Sequence, residues 1–223
     1  MSKVKVYKNK LELVGDLIKN DDVALDVGFW GQGIKIDNEN WVHNLILKRA
    51  KTVYGLDTEF DENRLRDPVF YKKGNAENFD FNVKFDIIFA GDLIEHLSNP
   101  GLFLESCARN LKDDGRLIIT TPNCFSLFSL VEKITKFEPT VNKDHVCYFN
   151  FKTATRLLEK NNFIISEMSF LYGLEINFKE SWKKKILNII YYLLSLISVK
   201  FIETLVVVAQ KIKNETINYR SSF

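Results

Sequence analysis

Four side chains in this sequence have the types and spacing to move a proton. Asp92, Glu95 and His96 lie at positions i, i+3 and i+4, and His145 follows in the segment DHVCYF. If the chain is helical after residue 91, the first three side chains share one face. A neutral imidazole is a competent general base near pH 7, so a histidine, His145 before His96, is a candidate catalytic base for an acceptor hydroxyl.

The same four side chains offer a second chemistry. Mixed carboxylate and imidazole ligands suit Mg²⁺ or Mn²⁺, so Asp92, Glu95, His96 and His145 are also a candidate metal site. Such a metal can bind two neighbouring hydroxyls and lower their pKa. In a third interpretation, Glu95 and His96 only cap a helix and pack. The residues alone do not decide between the three interpretations. The remaining histidine, His43, lies within a predicted helix and is expected to be structural.

A glycine-rich stretch, LDVGFWGQG at residues 25–33, follows an apolar run and contains Asp26, Gly28, Phe29, Gly31 and Gly33. Glycine lets the backbone turn tightly and approach a ligand closely. The spacing is G-x-x-G-x-G rather than the dinucleotide fingerprint G-x-G-x-x-G, and residues 34–41 intervene before the next clear helix. A structural turn is therefore as good an interpretation of this loop taken alone.

Other candidate binding residues also come directly after predicted strands. Asp57 can accept hydrogen bonds from both hydroxyls of a ribose, or it can cap a following helix. Asn75, Ala76 and Glu77 form a small polar loop that can border an adenine edge, and Gly91 again permits close approach.

These residues need a scaffold, and the hydrophobic pattern predicts one. Strands are predicted at residues 23–27, 52–56, 70–73, 85–90, 116–121, 163–170 and 203–210, and helices at 41–50, 102–111 and 151–160. This alternation predicts an α/β fold with a doubly wound, mainly parallel sheet and helices on both faces. Ligands of such sheets bind beyond the carboxyl ends of the strands, where the candidate residues lie.

The composition sets the broad class. The chain has 223 residues, 46% of them hydrophobic and 27% charged, which suits one globular domain over residues 1–223. A net charge of +2 gives no reason to expect nucleic-acid binding. The three cysteines lack a C-x-x-C spacing, and the first ten residues do not resemble a secretion signal, so a cytoplasmic location is expected.

One segment is unusually apolar. Residues 186–199, ILNIIYYLLSLISV, carry no charge and follow Trp182 and three lysines. A bilayer span needs about 18 apolar residues or more, so this run is expected to be a core or capping helix. The alternative is peripheral membrane contact through residues 182–199, with the lysines at the headgroups.

Together the loops resemble those of the class I S-adenosylmethionine-dependent methyltransferases. VALDVGFWGQG is similar to their first motif, VYGLD to the second strand with its ribose-binding acid, and GNAENFDF to the adenine-side loop. FDIIFAGDLIEHLSNPGLFLESCARNLKDDGRLIITTPN resembles the fourth strand through the fifth, and DHVCYFNFKTATRLLEKNNF the segment leading to the sixth. The motifs occur in the family's order over nearly the whole chain.

The resemblance implies S-adenosylmethionine as cofactor and a Rossmann-like, seven-stranded sheet with an antiparallel last strand. Residues 26–33 would hold the methionine part, Asp57 the ribose and residues 75–77 the adenine. Two departures from the family pattern stand out. The glycine loop has one extra residue, and the separation of Asp26 from Asp57 is about ten residues longer than typical, with the excess at IKIDNENW.

The resemblance also indicates an acceptor. The E-x-x-E-H pattern with a later histidine resembles the metal site of small-RNA 2′-O-methyltransferases and a motif of ubiquinone-type O-methyltransferases, with Asp92 here in the first position. O-methylation of a sugar or glycan precursor is the first expectation, with residues 122–150 as a substrate cover and 181–200 as a helical insertion. A lipid-like or quinone-precursor acceptor at a membrane surface is second, and a non-catalytic cofactor-binding module remains open.

Overall fold

One sheet organises the molecule. The computed structural model describes residues 4–30, 41–65, 70–137, 142–172 and 198–212. The strands are β1 (Lys5–Tyr7), β2 (Val23–Val27), β3 (Thr52–Asp57), β4 (Tyr71–Lys73), β5 (Phe85–Gly91), β6 (Leu111–Pro122), β7 (Phe163–Leu171) and β8 (Thr204–Lys211). The α-helices are α1 (Lys10–Leu17), α2 (Val42–Arg49), α3 (Pro100–Asn110), α4 (Leu127–Thr135) and α5 (Phe151–Lys160).

The described strands are ordered β1-β7-β8-β6-β5-β2-β3-β4. Strand β8 runs antiparallel between β6 and β7, and Leu171 at the end of β7 pairs with Thr204 at the start of β8. The other pairings are parallel. The predicted Rossmann-like, mainly parallel sheet with an antiparallel last strand is thereby confirmed.

The centre of the sheet is covered on both faces because its strands alternate between two cores. In β5, Phe85, Ile88 and Ala90 point into a core shared with α3 and α5. Ile87 and Phe89 point into a second core formed with α1 and α2. A parallel strand covered by helices on both sides is apolar over its covered length, which explains the run IIFA at residues 87–90. Asp86, near the start of the strand, is instead paired with Lys112.

The number of strands differs from the expectation of seven. Strand β1 adds an eighth strand, parallel to β7 at the edge of the sheet, and α1 follows it. The charged start of the chain gave no clear prediction of β1. The sequence at the start of α1, by contrast, contains a recognisable helix signal. Asn9 caps the helix by accepting a hydrogen bond from the backbone N–H of Glu12, the spacing of a capping box.

The backbone after β5 also differs from the expectation. No α-helix follows directly: Asp92 has a left-handed φ of 49°, and a single 3₁₀ turn at Ile94–His96 comes next. The premise that Asp92, Glu95 and His96 share a helical face is therefore wrong. Side chains held by one irregular turn point where tertiary contacts place them, not where i, i+4 geometry would.

Several expectations lie outside the described residues. These are the positions of Gly31 and Gly33, the excess at residues 34–40, and almost all of the insertion at 181–200, of which only 198–200 are described. Among the described parts of the chain, no helix is both long enough and apolar enough to cross a bilayer.

Replacing the cap of α1 tests its contribution. Asn9→Ala removes the acceptor for Glu12 N–H, so the free energy of unfolding should fall by about 1 kcal/mol. Urea unfolding at neutral pH measures this, with Lys19→Ala, at an exposed position just after the helix, as the matched control. Equal stability of the two variants would contradict the capping role.

Candidate functional site

A cavity of about 780 Å³ opens at the carboxyl ends of the central strands. It lies between β2 and β5, where the order of the strands changes direction: the chain continues from β2 to β3 on one side and from β5 to β6 on the other. Sheets of this class bind ligands at such a point. Its lining includes Asp26, Gly28, Asp57, Gly91 and Asp92 from the ends of three strands. With Phe29, Glu95, His96 and His145, which also line it, the structure brings nine of the sequence-predicted residues to one cavity.

Gly28 forms the sharpest turn in the cavity wall. Its φ is 77°, a left-handed conformation that side-chain-bearing residues avoid, and a Cβ there would lie 3.2 Å from Leu93 Cδ1. Its N–H donates to the carbonyl oxygen of Leu56 at 2.8 Å, which ties the turn to the neighbouring strand β3. A glycine is required here, and it leaves the backbone open to a ligand.

Asp57 is the last residue of β3, and one of its two carboxylate oxygens already accepts a hydrogen bond within the protein. Its Oδ2 accepts a hydrogen bond from the backbone N–H of Trp30 at 3.0 Å. Its Oδ1 has only long contacts, 3.4 Å each, with Thr58 Oγ1 and Glu59 N. The carboxylate is thus oriented by the glycine loop and keeps an oxygen that can accept from a ligand hydroxyl.

A buried series of hydrogen bonds supports this part of the cavity wall. His43 Nδ1 donates to Asp26 Oδ2 at 2.9 Å, and the Tyr71 hydroxyl lies 3.0 Å from His43 Nε2. Burial raises the pKa of Asp26, and the hydrogen bond from His43 opposes that rise. His43 has the structural role expected from the sequence, but it also lines the cavity, and its pairing with Asp26 was not foreseen.

Phe29 is buried next to the Gly28 turn. Its ring lies 5.3 Å from that of Phe60 and 5.0 Å from that of Tyr71, and its carbonyl oxygen accepts from Trp41 Nε1 at 2.8 Å. Gly55 in β3 makes the room, because a Cβ there would lie 2.8 Å from the Phe29 ring. Phe29 borders the cavity, yet its ring belongs to an aromatic cluster and does not cover the opening.

The side chains of residues 75–77 make their contacts within the protein. Glu77 accepts hydrogen bonds from the backbone and side-chain nitrogens of Asn99, the residue before α3. Asn75 Oδ1 accepts from Glu77 N–H, and Ala76 is buried in the core. None of the three is among the described residues that line the 780 Å³ cavity. Their contact with an adenine stays a prediction.

Three of the four residues predicted to do chemistry meet at one point. Ligand atoms of Glu95, His96 and His145 all lie within 4.8 Å of one another. His145 Nε2 is 4.0 Å from Glu95 Oε1, and the two imidazole rings are 4.5 Å apart in an edge-to-face arrangement. The cluster is anchored by backbone, since Glu95 O accepts from Val146 N and Cys147 N.

Burial controls the charges in this cluster. It raises the pKa of Glu95 to about 7, and the negative charge of Asp92 acts in the same direction. Burial also lowers the pKa of His145, assisted by the nearby His96. Glu95 Oε2 accepts from Thr121 Oγ1 at 2.9 Å, whereas Oε1 has no hydrogen-bond partner among the described residues. A neutral His145 and a carboxyl oxygen without a donor thus face the same space.

Asp92 is separated from the cluster by its backbone conformation. Its Oδ1 accepts from Thr120 Oγ1 at 3.3 Å, and its Oδ2 lies 3.8 Å from Lys10 Nζ. The predicted four-residue metal set is therefore brought together only in part. Lys10 reaches this position because it begins α1, the helix that the sequence interpretation overlooked.

A second cavity, of about 260 Å³, adjoins the first. The two share Glu95, Pro122, Asn142 and His145 in their linings. The second is otherwise lined mainly by residues from 121–129 and 147–148, within the predicted substrate cover. The histidine cluster therefore stands at the junction of two spaces, which is the arrangement that a two-substrate reaction needs.

Comparison with known proteins agrees with this geometry. Residues 23–167 match the model of a family described as a methyltransferase domain. The ubiquinone biosynthesis O-methyltransferase of Bradyrhizobium diazoefficiens is 27% identical over 104 residues, which cover 44% of this chain and 41% of that enzyme. The chain thus spans about two fifths of that relative's length, and less of others with the same name.

Solved structures share the fold. A SAM-dependent methyltransferase from Methanosarcina mazei superposes with a TM-score of 0.58 at 18% identity, covering 90% of this chain and 97% of that one. The 1,6-didemethyltoxoflavin-N1-methyltransferase of Burkholderia thailandensis, solved with 1,6-didemethyltoxoflavin and S-adenosylhomocysteine, gives a TM-score of 0.53 at 15% identity, with 87% and 72% covered. At these identities the likeness concerns the fold.

The buried pair of Asp26 and His43 yields a stability prediction. His43→Ala leaves the Asp26 carboxylate buried without its donor, so the free energy of unfolding should fall by about 3 kcal/mol. His43→Asn keeps an N–H donor near the position of Nδ1 and should lose less than half as much. Urea unfolding at pH 7 compares the two, and equal losses would show that packing, not the hydrogen bond, matters.

Proposed function

The chain belongs to the methyltransferase-domain family whose model it matches, and from that premise we propose that it transfers a methyl group from S-adenosylmethionine to an acceptor hydroxyl. The observation that carries this proposal is the pair of adjoining cavities with His145 and Glu95 at their junction. One cavity has the size and glycine-rich wall of a cofactor site, and the other has room for part of an acceptor.

The residues of the larger cavity fit the proposed cofactor. Gly28 offers backbone without a side chain in the way, and Asp57 Oδ1 is placed to accept from a ribose hydroxyl. A volume of about 780 Å³ lies in the range of small-molecule and cofactor sites. When bound, S-adenosylmethionine supplies an activated methyl group on a sulfonium, so the protein has mainly to position the acceptor and remove its proton.

The smaller cavity suits a hydroxylated acceptor. Thr121, Ser126 and Ser129 bring hydroxyl groups to its lining. The Thr121 hydroxyl donates to Glu95 and its oxygen can still accept a hydrogen bond from a sugar-like hydroxyl. A sugar or glycan precursor is the first candidate on this ground. A quinone precursor is the second, supported by Phe128 and Tyr148 in the same lining and by the name of the Bradyrhizobium relative.

His145 is the proposed general base. Its imidazole borders both cavities and has a lowered pKa, so it is neutral near pH 7 and can accept a proton from the attacking hydroxyl. The bonds from Val146 N and Cys147 N to Glu95 O fix its segment against the end of β5. Glu95 Oε1, 4.0 Å away, can stabilise the imidazolium that forms.

The proposed ribose contact can be tested without an acceptor. Asp57→Ala removes a charged acceptor and should weaken binding of S-adenosylhomocysteine by roughly 10- to 100-fold in calorimetry. Asp61→Ala is the matched control, because it removes a nearby carboxylate that caps a one-turn 3₁₀ helix and lies outside the cavity lining. No binding to the unmodified protein at millimolar ligand would refute the cofactor itself, leaving the methyltransferase fold without this activity.

The proposed base gives a separate prediction. His145→Ala should lower kcat for transfer of labelled methyl to sugar nucleotides or catechols by roughly 10²- to 10⁴-fold, with S-adenosylhomocysteine affinity unchanged. His96→Ala should cost less, because His96 Nδ1 is already within 3.2 Å of the Asp144 carbonyl oxygen. Activity that vanishes in chelator and returns with Mn²⁺ would instead assign the cluster to a metal and overturn the base role.

A further inference from the structure

One buried oxygen lacks a hydrogen-bond donor at the point where the two cavities meet. Glu95 is only 2% exposed, and it lines both cavities. Its Oε1 has no hydrogen-bond partner among the described residues. A buried carboxyl oxygen without a donor costs free energy, and such an atom in a folded protein requires an explanation. Its position in the lining of both cavities points to a ligand group that donates to it.

The described neighbours of this oxygen direct their hydrogens elsewhere. The Thr121 hydroxyl donates to the other carboxyl oxygen, Glu95 Oε2, at 2.9 Å. His145 Nε2 lies 4.0 Å from Oε1, which is beyond hydrogen-bond distance. His96 Nδ1 is 3.2 Å from the Asp144 carbonyl oxygen, so an N–H at this nitrogen is used there. A donor for Glu95 Oε1 is therefore expected from a bound molecule.

The number of hydrogens on the acceptor atom decides whether Glu95 Oε1 is satisfied. A hydroxyl carries one hydrogen, and the proposed base His145 has to take it. Glu95 Oε1 would then stay without a donor while the methyl group is transferred. A primary amine carries two hydrogens, or three when it is protonated. One N–H can therefore point to His145 while another donates to Glu95 Oε1.

The separation of the two acceptor atoms suits a single nitrogen. Two partners that each lie about 2.9 Å from a tetrahedral nitrogen are roughly 4–5 Å apart. Glu95 Oε1 and His145 Nε2 are 4.0 Å apart. One amine nitrogen between the cavities can thus reach both atoms, whereas a diol would need room for a second oxygen beside the reacting one.

The smaller cavity also suits a cationic group. Its described lining contains the carboxyl groups of Glu95 and Glu203 and no lysine or arginine. Phe128 and Tyr148 add aromatic rings, whose faces attract ammonium groups. Burial raises the pKa of Glu95 to about 7, and a neighbouring ammonium opposes that rise because it stabilises the carboxylate. An amine thus supplies both the donor and the charge that this buried carboxyl group lacks.

We propose a further activity for this site: it methylates primary amines in small hydroxylated molecules, such as amino sugars, and binds them more tightly than the matching alcohols. The inference rests on the proposed function for the methyl donor. His145 takes a proton from the ammonium group, which frees the lone pair of the nitrogen. The nitrogen then forms a bond to the methyl carbon while the carbon–sulfur bond breaks, and the electron pair of that bond stays on sulfur as a neutral thioether. The product is a protonated secondary amine, and His145 returns its proton to solvent.

Matched pairs of ligands test the proposal by calorimetry on the full chain saturated with S-adenosylhomocysteine. D-Glucosamine and D-glucose differ only in an amino group against a hydroxyl, as do benzylamine and benzyl alcohol. In at least one pair the amine should bind about tenfold more tightly than the alcohol. Glu95→Gln keeps the shape and an oxygen for Thr121 but loses the charge, so this preference should fall to about twofold or less, with alcohol affinity unchanged. Glu105→Gln removes an exposed carboxylate of α3 outside both linings and is the matched control.

Mass spectrometry of glucosamine incubated with S-adenosylmethionine and the protein locates the transferred methyl group, which should be on nitrogen. The proposal is overturned if neither amine binds more tightly than its alcohol, if the preference persists in Glu95→Gln, or if the methyl group is found only on oxygen. It is also overturned if a chelator abolishes the preference and Mn²⁺ restores it, because Glu95 Oε1 then binds a metal. Each of these results leaves the binding of S-adenosylhomocysteine intact, whereas its absence would refute the proposed function and this inference with it.

Discussion

The site depends first on a carboxylate that is buried and therefore has to be paired. Asp26 ends a central strand with almost no exposure, and an unpaired charge there would cost several kcal/mol. His43 from α2 supplies the donor, and Tyr71 from β4 completes the chain of hydrogen bonds. These two hydrogen bonds join β2, α2 and β4, and they fix the strand end from which the Gly28 turn begins.

A second coupling links the sheet to the segment that contains His145. The main-chain oxygen of Glu95 holds residues 146 and 147, while the carboxyl group of Glu95 meets His145 and Thr121. The same residue therefore fixes the path of this segment by its backbone and shapes the electrostatics between the two cavities by its side chain. Loss of this turn would separate His145 from both cavities at once.

The sequence predicted the parts of the fold whose pattern is dictated by burial. Strands β2, β3 and β5 are mainly apolar where they are buried, and their ends led directly to Gly28, Asp57 and Gly91. The features that the sequence did not predict had no local signature. The left-handed backbone of Asp92 and the packing of Phe29 against Gly55 depend on distant residues, as does the pairing of Glu77 with Asn99.

His43 also shows that long-range pairing is not readable from local sequence. A histidine in a helix is usually structural, and this one is, yet its partner is 17 residues away on a strand. No spacing rule relates a helix residue to a strand end across an intervening loop. The capping-box spacing of Asn9 and Glu12, by contrast, was local and would have revealed α1, the helix that begins with Lys10.

The antiparallel pairing of β7 with β8 determines how far the connection between these two strands can vary in evolution. Because Leu171 pairs with Thr204, the connection between the strands leaves and re-enters the sheet at adjacent positions, as in a hairpin. The entropic cost of a longer connection rises only slowly with its length. Residues 173–197 can therefore diverge in length and composition while the sheet and the larger cavity stay constant. The return into β8 cannot diverge in the same way, because Ile202 is buried in the core and its carbonyl oxygen accepts a hydrogen bond from Asn123.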